Sequence, residues 1–341
     1  MSAIWRWNAR RLFRLRTLPW LLSVLALVLV LRTVPLADIL VILRRLRGWE
    51  IAVLIAANTL IVLLLGGRWW LLLSSLGWRL SYLRLSSYRL AAFAITYLTP
   101  GPQMGGEPLQ VHLLRQRHQV SGATATASVA LDKSLDLLVN FGFLVLGVVV
   151  ITRLQVDFQL RPAILLALAI GLLALPLAYL AASWLGIRPF TALFLHWPAG
   201  DRSLRYQKLL RLVQEAEAQV SDFYRQRPRT LVLALLFAVV TWVAMVGEYW
   251  LAARFLGLPY TLWQAIAALT AARFAFLLPL PAGLGVLEAS QAFAAAALGY
   301  DPAAGAALAL LIRARDVVLA LLGAWLAARY LAESRPSPSA T

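Results

Sequence analysis

Long uncharged runs alternate with short polar stretches along most of the chain. Clear examples of such runs cover residues 90–106, 163–187, 230–247 and 255–272. A helix needs about 20 predominantly apolar residues to cross the hydrocarbon core of a bilayer. The pattern therefore predicts an all-α polytopic membrane protein with about eight hydrophobic segments.

The predicted segments follow one another with only one long polar interruption, at residues 186–229. Apolar residues recur at helical spacing within it, which predicts an amphipathic helix on the cytoplasmic membrane surface. Because this stretch is too short for a catalytic domain, residues 1–341 are expected to form one transmembrane domain. The apolar stripe consists of Leu209, Leu212, Val213, Ala216 and Val220. The eight segments cover residues 17–36, 49–73, 85–100, 123–151, 162–184, 230–254, 262–280 and 303–330.

Two segments interrupted by proline and glycine share a spacing although they lie 181 residues apart. PGPQMGGEPLQ starts at residue 100 and PAGLGVLEASQ at residue 281, and both contain Pro-x6-Glu-x2-Gln. Paired interrupted segments in corresponding places of two halves point to a transporter's binding site. We predict an internal repeat, about 49–153 and about 230–330, with a re-entrant hairpin at each break. The break residues are Pro100, Gly101, Gly105, Gly106, Pro281, Gly283 and Gly285.

The basic residues predict how the two repeats are oriented. Five arginines among residues 6–16 place the N-terminus in the cytoplasm, because the cytoplasmic flanks of membrane helices are enriched in Lys and Arg. The turn at 115–118 is basic, whereas the corresponding turn at 292–300 is uncharged. The repeats are therefore predicted to be inverted. The arginines within 44–47 fall on the outer side in this topology, against the same rule.

Each break precedes the N-terminus of a predicted half-helix, which covers residues 107–118 in the first copy and starts at residue 288 in the second. Such a terminus favours an anion. The alternative is a pair of kinks kept for packing, with the glutamates simply occupying the first helical turn. A guanidinium binds phosphate bidentately, so arginines in the spans are candidates for contacting an anionic headgroup. The candidate substrate-binding residues are Glu107, Gln110, Glu288, Gln291, Arg273, Arg313 and Lys133.

Other ionisable residues in the spans are either functional or paired with each other, since charges inside a membrane are costly. Asp132 and Asp136 share one helix face, and an offset of 181 places Asp132 opposite Arg313. Glu248 and Arg273 form a second possible pair. The charges assigned to structure or coupling are Asp132, Asp136, Glu248, Arg315 and Asp316.

Composition narrows the function classes. The chain is 61% hydrophobic, only 14% of its residues are charged, and its net charge is +17. The basic residues lie mainly between apolar runs, so lipid headgroups explain them better than nucleic acid. The chain contains no Cys, and its histidines at 112, 118 and 196 are scattered, so no metal or cofactor is expected.

Two stretches carry a resemblance to a known family. LTPGPQMGGEPLQVHLLRQRHQVSGATATASVALDKSLDLL and LPLPAGLGVLEASQAFAAAALGYDPAAGAALALLIRARDVV resemble the two signatures of the lysylphosphatidylglycerol synthase/flippase transmembrane-domain family. The resemblance implies handling of lipids with polar headgroups, and it places Glu107, Glu288 and Arg313 on motif positions. The second copy has Pro281-Ala282-Gly283 where the family more often has a glycine pair. The soluble aminoacyltransferase domain of the fused synthases is not expected here.

The expected function is translocation of a lipid across the bilayer, without catalysis. Its headgroup is expected to be polar, and either anionic, aminoacylated or glycosylated, on a phospholipid or a polyprenyl lipid. The expected location is the cell (inner) membrane, with both termini in the cytoplasm. The partners considered are a second copy of the chain and an enzyme that supplies the lipid. Two alternatives stay open: an accessory or enzymatic subunit of an envelope-lipid pathway, and a small-anion transporter.

Overall fold

The computed structural model describes residues 46–99, 104–155, 162–196, 204–278, 283 and 285–333, together with positions 41 and 44. This part of the chain forms eleven α-helices and contains no strand, which confirms the all-α prediction. The first predicted segment, 17–36, lies outside the described residues. The helices are α1 (Gly48–Ser75), α2 (Tyr82–Leu98), α3 (Glu107–His118), α4 (Gly122–Arg153), α5 (Pro162–Leu185), α6 (Pro189–His196), α7 (Leu204–Gln226), α8 (Pro228–Phe255), α9 (Leu262–Ala275), α10 (Val286–Ala297) and α11 (Pro302–Glu333).

Four of the described helices, α1, α4, α5 and α8, are long and apolar enough to cross a membrane. Each is at least 24 residues long and contains an 18-residue window of mean hydropathy between 2.1 and 2.5. α11 has 32 residues, but it carries Arg313, Arg315 and Asp316 near its middle. The number of about eight membrane segments therefore stays a prediction.

Helices of equal length recur at nearly constant intervals along the chain. α1 and α8 have 28 residues each and begin 180 positions apart, and α4 and α11 have 32 residues each with the same offset. α3 and α10 have 12 residues each. The turn after α1 is closed by the indole of Trp70, which donates to the Leu80 carbonyl (2.9 Å). The turn after α8 is closed in the same way by Trp250 and Tyr260 (2.7 Å). The inverted orientation of the two halves stays a prediction.

Helices of the first half pack against helices of the second. α2 lies along α11, α9 lies along α4, and α1 lies along α8. Glycines permit two of these crossings: a Cβ on Gly323 would lie 2.2 Å from the Leu90 carbonyl oxygen, and one on Gly147 would lie 1.8 Å from Oγ1 of Thr270. Small residues allow helix backbones to approach closely, so the two halves are held together along their length.

The amphipathic helix α7 packs against α4 and caps α6. Ala216 and Val220, two members of the predicted stripe, are buried in a cluster with Leu131 and Leu135 of α4, whereas Leu209 is 47% exposed. The carboxylate of Glu217 accepts the backbone N–H groups of residues 190 and 191 (2.9 and 2.8 Å), which caps the N-terminus of α6. The C-terminal half of the stripe is therefore covered by α4, and the position of this helix on the cytoplasmic membrane surface stays a prediction.

Candidate functional site

A cavity of about 290 Å³, lined by both charged and apolar side chains, lies between helices of both halves of the chain. Its walls come from α1, α2, α3, α4, α8, α9 and α11. In a chain this apolar, a concentration of charge is costly unless it is paired or functional. Ten charged side chains line the cavity: Arg68, Arg89, Glu107, Asp132, Lys133, Asp136, Glu248, Arg273, Arg315 and Asp316.

The first charge network joins α1, α2 and α4. Arg68 is 1% exposed and binds Oδ1 of Asp132 through Nε (2.7 Å) and Oδ1 of Asp136 through Nη2 (3.0 Å). Arg89 also forms an ion pair with Asp132. Asp132 and Asp136 face the same side of α4, as their spacing predicts, because residues four apart are neighbours on a helix. Arg68 is not among the site residues predicted from the sequence, although it is the only basic residue of the long apolar helix α1.

The second charge network joins α1, α8 and α11. Arg315 binds Glu248 and Asp316, both at 2.9 Å. The amide of Asn58 donates to the other oxygen of Glu248 (3.2 Å), which ties α1 to this network. The suggested pair between Glu248 and Arg273 is therefore wrong, because Glu248 pairs with Arg315 instead.

An ion pair recurs between each short helix and the long helix that follows it. Glu107 in the first turn of α3 pairs with Lys133 of α4 (3.0 Å), and Glu288 in the first turn of α10 pairs with Arg313 of α11 (2.5 Å). Lys133 and Arg313 are 180 positions apart, one fewer than the glutamates. One residue rotates a helix by about 100°. The predicted meeting of Asp132 with Arg313 therefore does not occur, because α4 and α11 correspond with an offset of 180 and not 181.

The two glutamines of the repeated motif are both buried, in different settings. Gln110 lines the cavity. Gln291 lies behind the wall, where its amide donates to the Ala268 carbonyl (3.1 Å) and its oxygen accepts the Tyr249 hydroxyl. Glu288 and Arg313 are also absent from the cavity lining. Among the described residues, the second motif therefore contributes only Gly283 to the cavity surface, whereas the first contributes Gly106, Glu107 and Gln110.

The backbone at the two breaks adopts conformations that favour glycine. Gly105 has a φ of 138°, and Gly283 and Gly285 have φ values of 60° and 77°. A Cβ on Gly106 would lie 2.1 Å from the Ala92 carbonyl oxygen, so this position needs glycine for the close approach of α3 to α2. The other break residues, Pro100, Gly101 and Pro281, lie outside the described residues. The re-entrant path of the chain stays a prediction.

The N-terminus of α3 is fixed on the cavity wall by local contacts. The Gly106 N–H donates to the Thr96 hydroxyl of α2 (3.1 Å), and the Gly105 N–H donates to Oε2 of Glu107 (2.7 Å). Since Lys133 holds Oε1 of the same carboxylate, both oxygens of Glu107 are engaged. Glu107 thus fills the position that an anion would take at this terminus.

Arg273 lines the cavity without an ion pair. Within the described residues, no carboxylate oxygen lies within 4.0 Å of its guanidinium nitrogens. The guanidinium carbon lies 4.7 Å from the centre of the Trp242 ring, and Nη2 faces the sulfur of Met245 at 3.7 Å. Its Nε is buried and has no hydrogen-bond partner there. An unsatisfied buried donor is costly, so this arginine is suited to binding an anionic ligand.

Comparison with known proteins confirms the resemblance seen in the sequence. The profile of the family described as lysylphosphatidylglycerol synthase TM region matches residues 17–323. A UPF0104 membrane protein of Methanothermobacter thermautotrophicus is 25% identical over 233 residues, 66% of this chain and 68% of that protein. A UPF0104 membrane protein of Methanocaldococcus jannaschii is 21% identical over 286 residues, 76% of this chain and 78% of that protein. No solved structure matches the chain at a significant level.

Proposed function

The chain belongs to the lysylphosphatidylglycerol synthase TM region family, and on that basis we propose that it is a lipid flippase. In this proposal it moves a membrane lipid with a polar headgroup from one leaflet to the other. The protein acts without catalysis, in the cell (inner) membrane, with both termini in the cytoplasm. Its partners are the lipid itself and, if the lipid is made in the same pathway, the enzyme that supplies it.

The observation that supports this proposal is the charged cavity inside an apolar helical bundle. A polar headgroup that crosses bare hydrocarbon loses its hydration, which is the main barrier to unassisted movement. Ten charged side chains and Gln110 offer replacement contacts along the cavity wall. The acyl chains stay in the bilayer, and only the headgroup enters the cavity. A protein of this design lowers the barrier without forming a covalent bond.

The two charge networks provide a means of alternating access. Arg68 binds α1 to α4, and Arg315 binds α11 to α8, so each network belongs to a different half. Rocking of one half against the other around a fixed central site is the usual mechanism of transporters built from repeats. Asn58 reaches from α1 to Glu248 of the second network, so the halves are coupled through this contact.

A lipid-movement assay tests the proposal. The purified protein is reconstituted into liposomes, and a membrane-impermeant reductant quenches fluorescent lipids that reach the outer leaflet. Lipids with anionic, zwitterionic and polyprenyl-phosphate headgroups are compared, with and without a proton gradient. We expect the wild type to move at least one of them and the Arg273→Gln variant to lose that movement at least tenfold.

Arg254→Gln is the matched control, since Arg254 also stacks on a tryptophan, at 4.8 Å from the Trp250 ring centre, but does not line the cavity. This variant should keep the wild-type rate. Wild-type protein that folds yet moves none of these lipids would contradict the proposed function.

A further inference from the structure

The charges that line the cavity balance. Among the residues that the structure describes, five of these charges are basic and five are acidic. A ligand with a net charge would leave an uncompensated charge in a poorly hydrated site, which is costly. A ligand that carries one positive and one negative group leaves the balance unchanged. The lining therefore favours a zwitterion over a net anion or a net cation.

Two of the ten charged groups are available to such a ligand. Arg273 has no ion-pair partner within the described residues, as shown above. Asp136 is the most exposed acid of the first network: 32% of its side chain is exposed, against 8% for Asp132. Asp136 binds Arg68 through Oδ1 alone, whereas both oxygens of Glu107 are engaged. Asp136 has the most exposed side chain of the five described acids that line the cavity with Arg273, since those of the other four are 7–26% exposed.

The size of the cavity restricts the ligand further. Its volume of about 290 Å³ lies at the lower end of the roughly 300–1,000 Å³ that ligand pockets occupy. One phosphate with a short amine-bearing arm fits this space. A larger headgroup would have to extend out of the cavity, and the acyl chains remain in the surrounding lipid.

From these three observations we infer that the cavity is a site for a small zwitterionic phosphate headgroup. Arg273 binds the phosphate, and Asp136 binds the ammonium group. Trp242 holds the guanidinium in place by stacking on it. The inference rests on the proposed function, because it names the class of lipid that the flippase carries. The same chemistry occurs in a soluble glycerophosphate ester, and the test below separates the two sources.

The direct test is equilibrium binding of soluble headgroups to the purified full-length protein by calorimetry. The probes are glycerophosphoethanolamine, glycerophosphoglycerol and ethanolamine, each at concentrations up to the millimolar range. We expect the zwitterionic first probe to bind at least tenfold more tightly than either of the others. Arg273→Gln should lower the affinity for both phosphate probes at least tenfold. Arg273→Lys should restore part of that affinity. Asp136→Asn should lower the affinity for glycerophosphoethanolamine to that for glycerophosphoglycerol.

Arg254→Gln and Asp222→Asn are matched controls on exposed positions away from the cavity, and they should bind as the wild type does. Equal affinity of the wild type for the zwitterionic and anionic probes would overturn the inference. So would undiminished binding by a folded Arg273→Gln protein, or no binding of any probe.

The lipid-movement assay, combined with the binding data, distinguishes failure of the proposed headgroup site from failure of the proposed flippase function. Binding with the expected pattern but no lipid movement would reject the flippase and keep the site. Lipid movement without any headgroup preference, and with no effect of Asp136→Asn, would reject the site and keep the flippase. Inhibition of lipid movement by glycerophosphoethanolamine would show that lipid and soluble ester share the site, whereas uptake of the ester itself would identify a soluble substrate.

Discussion

Arg68 of α1 and Glu248 of α8 occupy corresponding positions of two 28-residue helices and carry opposite charges. Arg68 binds two aspartates of α4, and Glu248 binds Arg315 of α11. Both are nearly fully buried. The two halves of the protein thus use the same helix pair to hold a charge network, with the signs exchanged. This exchange keeps the cavity electrically balanced, although the chain as a whole is strongly basic.

Removal of Arg68 should destabilise the protein severely. Arg68→Met leaves Asp132 and Asp136 without their shared partner, and loss of one partner of a buried pair costs about 3–5 kcal/mol. Thermal unfolding in detergent should therefore show a clear fall in Tm. Arg329→Gln removes an exposed pair with Glu333 and should leave Tm unchanged, because exposed ion pairs contribute little. Equal Tm values for both variants would contradict the structural role of Arg68.

The pair between Glu107 and Lys133 should tolerate exchange of its charges. Glu107→Lys and Lys133→Glu each place two like charges together and should each reduce lipid movement at least tenfold. The double variant restores an attractive pair and should recover part of the activity, which a double-mutant cycle measures. Additive losses would mean that the two side chains do not act as a pair.

Glycine at position 323 should be needed for helix packing. A Cβ there would meet the backbone carbonyl of Leu90, which cannot rotate away, so Gly323→Ala should destabilise by roughly 1–3 kcal/mol. Gly142 of α4 has open space around it and serves as the control. Gly142→Ala should be neutral, or stabilising by about 0.5–1 kcal/mol, because alanine loses less backbone entropy in a helix. The measurement is thermal unfolding of both variants. A smaller loss of stability for Gly323→Ala than for Gly142→Ala would contradict the close packing of α11 on α2.

Labelling of single cysteines should establish the orientation of the repeats, since the native chain contains no Cys. Gln116→Cys in α3 and Ala296→Cys in α10 place exposed thiols near the ends of the two short helices. A membrane-impermeant maleimide added to intact cells should label position 296 and leave position 116 unlabelled. Arg211→Cys in α7 is predicted to be cytoplasmic and should also stay unlabelled. Labelling of 116 and 296 from the same side would show that the repeats are not inverted.

The positions of the long helices could be predicted from the sequence, because they depend on local chemistry. The predicted segments 49–73 and 123–151 differ by only a few residues from α1 and α4. The half-helix predicted over 107–118 has the same bounds as α3, since Gly105 and Gly106 precede it and Gln119 adopts a left-handed conformation after it. Apolar runs and glycine breaks act within a few residues, so the sequence by itself determined where helices begin and end.

The partners of the charged residues were decided only by the tertiary structure. The sequence identified Asp132, Asp136 and Arg273 as candidates, yet it could not reveal that Arg68 pairs with both aspartates or that Arg273 pairs with no carboxylate of the described residues. Which side chains meet depends on the rotation of each helix about its axis. A one-residue difference in offset turns a side chain by about 100°, enough to replace Asp132 by Lys133 at the position corresponding to Arg313. The sequence therefore supplied the charges, and helix packing determined which of them pair and which remain open to a ligand.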